Sequence, residues 1–358
     1  MNRKDYILEK VKNIHSSEGD SFTYNETELL NELTSQQENQ SSLAIKILSI
    51  FGGFLATMAF LGFLLIAGLY DSEISLVIFG LGFIISGIVI TRTQDKLILD
   101  TLSVSLFVTG FGLLAFGLSG LNFTENNIIL IILSLAIISL FINKNYLLSF
   151  ISILFINGCL LALIDSYNLG NLIHLHITLN TVLLVYLMLN EAKLVCQNKN
   201  ISRLYNPFRI GIIFSLFAGL IALSSNGFSN ISSNYIWISS LIFFVAILYL
   251  VSKIIKVFNI ESSKNNYLIF GVTAITLIPT VLSPSISGAL LILLLSFYVN
   301  YKTGIALGVI SFIYFISQYY YDLSFTLLTK SIILFSSGLL FITFYLIINK
   351  KLLQNEKN

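Results

Sequence analysis

The sequence predicts an all-α, polytopic integral membrane protein with about 12 transmembrane helices and both termini in the cytoplasm. Hydrophobic residues make up 56% of its 358 residues and charged residues only 11%, whereas a soluble domain carries about 25% charged residues. The apolar residues are gathered into runs long enough to cross a bilayer as helices. These runs are apolar on every face, which excludes the strict alternation of a membrane β-barrel.

Each apolar run is interpreted as a helix, because lipid offers no partners for free backbone groups. The predicted segments, in chain order, are 47–70, 74–91, 97–121, 128–142, 146–164, 169–190, 210–223, 235–252, 267–282, 285–301, 303–321 and 325–348. A hydrocarbon core of about 30 Å requires roughly 20 helical residues. The fourth, seventh and ninth segments are short by that measure, so they either extend into flanking polar residues or do not fully cross. Whether segments nine and ten span the membrane stays open.

The distribution of positive charge predicts the orientation. In a zigzag that starts in the cytoplasm, the two tails and the even-numbered loops hold 19 of the 20 Lys and Arg residues, as the positive-inside rule requires. The exception is Lys330. The predicted outer loops carry acids instead, namely Asp71, Glu73, Glu125, Asp165 and Asp322. The lipid bilayer is thus a predicted partner, and nucleic acid is not, because no basic cluster resembles a phosphate-binding face.

The chain divides into three predicted regions. Residues 1–44 form a polar cytoplasmic region, where helical periodicity indicates two short amphipathic helices, with a partly ordered tail as the alternative. Residues 45–349 form the transmembrane helical domain, and residues 350–358 form a cytoplasmic tail. A cleavable signal peptide is not expected, because about 45 polar residues precede the first apolar run. The two cysteines, Cys159 and Cys196, are not expected to meet.

Lys330 lies inside the last predicted segment. A charge at mid-membrane costs about 2.5–3.5 kcal/mol on insertion scales, but Lys330 is only about 7–8 Å along the helix from the predicted outer end and can snorkel to the interface. One interpretation is a substrate contact or an ion pair with Asp322, which requires a turn near Ser324. The favoured alternative is a structural, snorkelling lysine.

A proline-rich break separates segments nine and ten. Pro279 lies inside segment nine, and Ser283, Pro284 and Ser285 open segment ten. A serine-rich helix start can hold an anion, and broken helices often line transport sites. A plain tight hairpin is the favoured interpretation, with a re-entrant pair as the alternative.

His174 and His176 lie near the predicted outer end of segment six, and Asp165 precedes them. Two histidines and an acid can form a metal or proton-relay site. Residues i and i+2 point to different helix faces, however. The favoured interpretation is therefore a pair of solvent-facing histidines at the interface.

Other polar and small residues favour structural roles. Asn157 and Asn180 are expected to form bonds that join helices, with a polar cavity as the alternative. Asp100 lies at the start of segment three, where a helix N-terminus favours an acid. A capping or interfacial role is expected for it, with a proton-coupling role as the alternative. The longest cytoplasmic loop is predicted at 191–209, and Pro207 is expected just before segment seven. Close helix contacts are expected at Gly304-x-x-x-Gly308 and Gly52-x-x-x-Ala56.

The motifs of ATP-driven and common hydrolytic enzymes do not occur in the sequence. It contains no Gly-x-x-x-x-Gly-Lys-Ser/Thr, no His-Glu-x-x-His and no Gly-x-Ser-x-Gly. The loop at 91–96 also lacks the motif of the major facilitator superfamily. No cofactor, metal or catalytic residue is therefore predicted.

Three stretches near the C-terminus resemble a known family. They are Ser283–Leu290, Gln318–Leu323 and Thr326–Ser331, and they are similar to a bacterial family of polytopic membrane proteins described as domain of unknown function 4401. The resemblance covers most of the chain from about Ala44. It implies a protein of the bacterial cytoplasmic (inner) membrane that works beside another membrane-anchored protein.

Sparse charge in the membrane and the absence of catalytic motifs favour the first of three functional hypotheses. The first is a non-enzymatic membrane scaffold or partner-binding component, and the alternative is a secondary transporter of a small solute. A third is an enzyme acting on lipid-linked substrates, which requires His174, His176 and Asp165 to converge. The sequence leaves the substrate, the oligomeric state and the helix packing order open.

Overall fold

The computed structural model describes residues 72–93, 97–143, 145–224, 231–257 and 263–322, together with 58–64 and isolated positions nearer the two ends. Within these residues the regular structure is entirely helical. The helices are α1 Glu73–Thr93, α2 Leu97–Gly120, α3 Glu125–Ile142, α4 Tyr146–Ser166, α5 Ile173–Leu189, α6 Glu191–Gln197, α7 Lys199–Ser224, α8 Ile236–Val257, α9 Ser263–Leu277, α10 Pro284–Tyr298 and α11 Lys302–Asp322. Short 3₁₀ turns, Gly170–Leu172, Ser233–Tyr235 and Ile278–Leu282, precede α5, α8 and α10.

The all-α prediction is confirmed. In the part of the chain that the structure describes, 8 helices are long and apolar enough to cross a membrane. The shorter apolar helices Asn266–Leu277 and Pro284–Tyr298 correspond to predicted segments nine and ten. The first predicted segment, 47–70, and the last, 325–348, lie largely outside the described residues. The predicted total of 12 spans and the orientation stay predictions.

Two of the short segments extend into polar residues. Segment four begins at Glu125 and reaches 18 residues, and segment seven begins at Lys199 and reaches 26. The predicted loop at 191–209 is therefore wrong, because α6 and the first turns of α7 occupy it. Pro207 lies inside α7 rather than before it. The extra turns are held because Tyr205 and Arg209, one turn apart, are both buried against the bundle.

The described chain forms two compact units, Met1–Asn122 and Phe123–Asn358. In the first unit, α1 and α2 pack in antiparallel fashion, with Gly80 against Gly110 and Gly87 against Ser103. A Cβ atom on Gly110 would lie only 2.8 Å from the carbonyl oxygen of Gly80. The Ser103 hydroxyl donates a hydrogen bond to the Gly87 carbonyl at 2.9 Å. Small residues let helix backbones approach closely in lipid, where dispersion replaces the hydrophobic effect.

The second unit is organised around α10, which packs against α7, α8 and α11. Four of its apolar side chains are completely buried, namely Ala289, Leu291, Ile292 and Leu295. Gly308 of α11 faces the backbone of Leu293, and Gly304 faces Ser296. The predicted close contact at Gly304-x-x-x-Gly308 is thus confirmed, and Gly52-x-x-x-Ala56 lies outside the described residues.

Asparagines in the left-handed conformation end two helices of this unit. Asn168 follows α4 with φ 56°, and Asn300 follows α10 with φ 55°. The next amide then bonds back five residues, from Leu169 N to Ile164 O at 2.9 Å and from Tyr301 N to Ser296 O at 2.8 Å. This is the Schellman pattern, which Asn adopts at lower cost than other side chains. The turns fix the positions of Leu169 and Tyr301.

Candidate functional site

The predicted Ser-Pro-Ser site lies at one end of the second unit, which we call the Ser283 end. Here α10 begins between the last turns of α7 and α11 and the first turn of α8. A cavity of about 140 Å³ lies among them, lined by Leu223, Ser224, Ile236, Ser283, Pro284, Ser285, Phe315, Gln318 and Tyr319. The structure therefore brings Ser283, Pro284 and Ser285 together in one cavity wall.

Local sequence explains why α10 begins there. The 3₁₀ turn Ile278–Leu282 ends at Ser283, and Pro284 occupies the first helical turn, where a missing N–H costs little. The Ser240 hydroxyl of α8 donates to the Val281 carbonyl at 2.6 Å. The Ser285 hydroxyl donates to the Leu220 carbonyl of α7 at 3.3 Å. The break between α9 and α10 is therefore held by two neighbouring helices.

A reciprocal amide–hydroxyl pair closes one side of this cavity. The Ser224 hydroxyl donates to Gln318 Oε1 at 3.1 Å, and Gln318 Nε2 donates to the Ser224 carbonyl at 3.2 Å. The pair ties α7 to α11. The lining side chains are uncharged, and the N-terminus of α10 contributes a partial positive charge. The cavity suits a small neutral or anionic polar group.

Asp322 is the last residue of α11, one helical turn beyond Gln318. Its side chain and all of Lys330 lie outside the described residues. The predicted ion pair between them stays a prediction.

The opposite end of the unit contains a buried cation, which the sequence reasoning did not single out. Arg209 is only 8% exposed. Its Nη1 donates to both carboxylate oxygens of Glu191, at 3.1 and 3.2 Å, and its Nη2 donates to Asn206 Oδ1 at 2.8 Å. The guanidinium carbon also lies 3.7 Å from the ring centroid of Tyr301 and 5.0 Å from that of Tyr205.

We call this cluster the Arg209 clamp, and its end of the unit the Arg209 end. It joins α6, α7 and the turn between α10 and α11. Arginine suits this role because its planar fork bonds a carboxylate while its face stacks on aromatic rings. One sequence signal was present: Glu191 is the single acid between 191 and 209, in an otherwise basic stretch that ends with Arg209.

The histidines are buried rather than solvent-facing, so that prediction is wrong. His174 is 2% exposed and His176 is 7% exposed, because α5 packs between α7 and α8. His174 Nδ1 bonds the Ser239 hydroxyl of α8 at 2.8 Å, whereas His176 bonds Asn180. Among the described residues there is no group of three His, Cys, Asp or Glu side chains that could hold a metal.

The prediction that the buried asparagines join helices is also wrong. Asn157 Nδ2 donates to the Ile153 carbonyl at 3.0 Å, and Asn180 Nδ2 donates to the His176 carbonyl at 3.0 Å, each within its own helix. Both instead line one cavity between α4 and α5, which was the alternative. Asp100 lies in the first turn of α2, as predicted.

A family model described as "Domain of unknown function (DUF4401)" matches residues 42–351. The chain belongs to the DUF4401 family. The match confirms the resemblance inferred from the C-terminal stretches, and the DUF4401 region begins where the polar residues 1–44 give way to the apolar segments. No curated protein and no solved structure matches this DUF4401 chain.

Proposed function

We propose that this DUF4401 protein is a multi-pass protein of the bacterial cytoplasmic (inner) membrane that acts as a non-enzymatic scaffold. In this proposal it has 12 spans and both termini in the cytoplasm, and it binds a second, membrane-anchored protein. The observation that carries the proposal is the Arg209 clamp. Its cation has a carboxylate, an amide and two aromatic partners, so it serves the framework rather than a passing ligand.

The positions of the described charges support this orientation. Four basic residues lie at the Arg209 end. Lys193 is on α6 and Arg203 is in the first turns of α7. Lys256 is in the last turn of α8, and Lys302 begins α11. Glu125 begins α3 at the Ser283 end. The positive-inside rule then assigns the Arg209 end to the cytoplasm.

In this orientation, the clamp holds parts of the chain in fixed positions at the cytoplasmic end. It holds three separate stretches of chain with one buried charge, whereas the Glu191 side chain that pairs with it is 41% exposed. The polar residues 1–44 enter the membrane from the same side in this orientation. We therefore assign partner binding to residues 1–44.

The test is purification of the tagged full chain at native expression level in mild detergent, followed by mass spectrometry of what accompanies it. A stoichiometric membrane-anchored partner is expected, and a variant lacking residues 1–44 is expected to lose it. The Arg203→Met variant, altered at an exposed residue of α7 outside the clamp, serves as the matched control and should keep it. A wild-type preparation with no stoichiometric partner would overturn the scaffold proposal.

A secondary transporter is the second candidate, and the position of the cavity favours it. The cavity lies at the Ser283 end while the Arg209 end is clamped, as expected of a carrier that opens to the outside. Transport predicts solute uptake into vesicles that is lost in Lys330→Ala and Ser285→Ala and kept in Lys302→Ala, which changes an exposed lysine. Wild-type uptake equal to that of empty vesicles, over a broad solute set, would count against it.

A further inference from the structure

A groove between α4 and α5 combines apolar walls with a polar floor. Its volume is about 310 Å³, at the lower end of the range for small-molecule sites. The walls are mainly leucines, and Leu160, Leu175 and Leu179 are 40%, 62% and 61% exposed. The floor is formed by Asn157, His176 and Asn180, all less than 9% exposed. The groove therefore opens along helix faces and ends on buried polar groups.

One polar atom of the Asn180 side chain has no hydrogen-bond partner among the described residues. Its Nδ2 has two hydrogens, and it donates to the His176 carbonyl and to His176 Nε2, both at 3.0 Å. Since an amide nitrogen can only donate, Nε2 is the acceptor and the imidazole hydrogen is on Nδ1. Asn180 Nδ2 therefore has no hydrogen left for the groove. Asn180 Oδ1 is buried and has no hydrogen-bond partner among the described residues. A buried acceptor without a donor is costly, so the site calls for a ligand that donates.

Depth and charge restrict the ligand further. Asn180 is at the middle of the span Gly170–Leu189, about 10 Å along the helix from the first residue of α5. A charged headgroup is strongly disfavoured at that depth, and the lining side chains carry no charge. An uncharged hydroxyl on an apolar chain can reach it, because the chain stays in lipid.

We propose that the groove binds a neutral membrane lipid with a free hydroxyl, of the diacylglycerol or polyprenol type. The hydroxyl donates to Asn180 Oδ1, and the chain lies along the leucines of α4 and α5. This site is separate from the Ser283 cavity and from the Arg209 clamp. It depends on neither proposed function.

The test uses the full chain in phosphatidylcholine nanodiscs and a diacylglycerol with a photoreactive diazirine in one acyl chain. Saturable crosslinks are expected in peptides covering 157–180. Dioleoylglycerol or a polyprenol should displace the probe about tenfold better than 1,2-dioleoyl-3-acetylglycerol, which has no hydroxyl to donate. The alcohol that competes better shows whether the natural ligand is a diacylglycerol or a polyprenol.

Two variants test the contributions of the hydrogen bond and of the apolar walls separately. Asn180→Leu removes the acceptor and should lower labelling about tenfold. Leu179→Trp fills the groove from an exposed position and should abolish labelling, whereas Val182→Trp, 55% exposed on the same helix and outside the lining, should not change it. Equal competition by the acetylated lipid, crosslinks outside 157–180, unchanged labelling in Leu179→Trp, or no saturable labelling would each overturn the proposal.

Discussion

The α1–α2 contact gives the sharpest test of the packing, because two glycines on α2 differ only in the side they face. A Cβ atom on Gly110 would lie 2.8 Å from Gly80 O, from Ile84 N and from Ile84 Cγ1. A Cβ atom on Gly112 would have nothing within 4 Å. Gly110→Ala must therefore push two backbones apart, and Gly112→Ala need not.

The magnitudes follow from two opposing effects. Overpacking a tight contact costs about 1–3 kcal/mol, and alanine recovers about 0.5–1 kcal/mol relative to glycine inside a helix. Gly110→Ala should thus lose about 1–2 kcal/mol of stability, whereas Gly112→Ala should be neutral or gain up to about 1 kcal/mol. The two variants should therefore differ by about 1–3 kcal/mol, and at about 2–4 °C per kcal/mol their melting temperatures should differ by about 2–12 °C.

Thermal unfolding of the two purified variants in the same detergent provides the measurement. Hydrogen exchange of peptides from α2 then localises the effect, because opening of the α1–α2 pair should be faster in Gly110→Ala alone. If Gly110→Ala is as stable as Gly112→Ala, the backbones are not in contact at this glycine, and the proposed packing is wrong.

Three further outcomes are expected in the second unit. Arg209→Met removes a buried cation from its partners and should lower stability by about 1.5–3 kcal/mol in chemical or thermal unfolding, whereas the exposed Arg203→Met should change it by less than about 0.5 kcal/mol. A membrane-impermeant maleimide should label the exposed Cys196 only from the cytoplasmic side and should leave the buried Cys159 unlabelled in folded protein. Asn300→Ala should cost about 1–2 kcal/mol in the same unfolding assay, because alanine strains the left-handed turn, and Asn300→Gly should be tolerated.

Each of these has a result that contradicts it. Equal stability of the two arginine variants would mean that the clamp contributes nothing to folding. Labelling of Cys196 in intact spheroplasts would reverse the proposed orientation. Equal losses for the alanine and glycine variants at 300 would show that the side chain, not the backbone angle, is what matters there.

The sequence predicted where helices run better than how they pack. The first residues of α2 and α4, Leu97 and Tyr146, were predicted as the structure has them, because polar turns mark the limits of apolar runs. The extension of α7 across Pro207 was missed, because polar residues outside the hydrocarbon core give no hydropathy signal. The faces by which the helices contact one another were not predicted either. A transmembrane helix is apolar all round, so polarity does not mark the side that meets protein.

Only part of the candidate site was predicted, because tertiary structure brings its other residues together. Ser283, Pro284 and Ser285 stood out because proline and serine are conspicuous within an apolar run. Gln318 and Ser224 did not, because their pairing across α7 and α11 depends on tertiary structure. The burial of His174 depends likewise on its contact with Ser239. Arg209 was counted only as one positive charge among many, since the sequence gives no distance from Arg209 to Glu191 or Tyr301.

The burial of α10 has a consequence for biogenesis. Its 15 residues fall short of the roughly 20 that a lone helix needs to partition stably into lipid. The left-handed turn at Asn300 leads directly into α11, whose Gly304 and Gly308 rest on α10. We therefore expect the translocon to release α10 and α11 together, as a preassembled helical hairpin. On this reasoning, α10 alone is too short to be stable in the membrane until α11 has been synthesised.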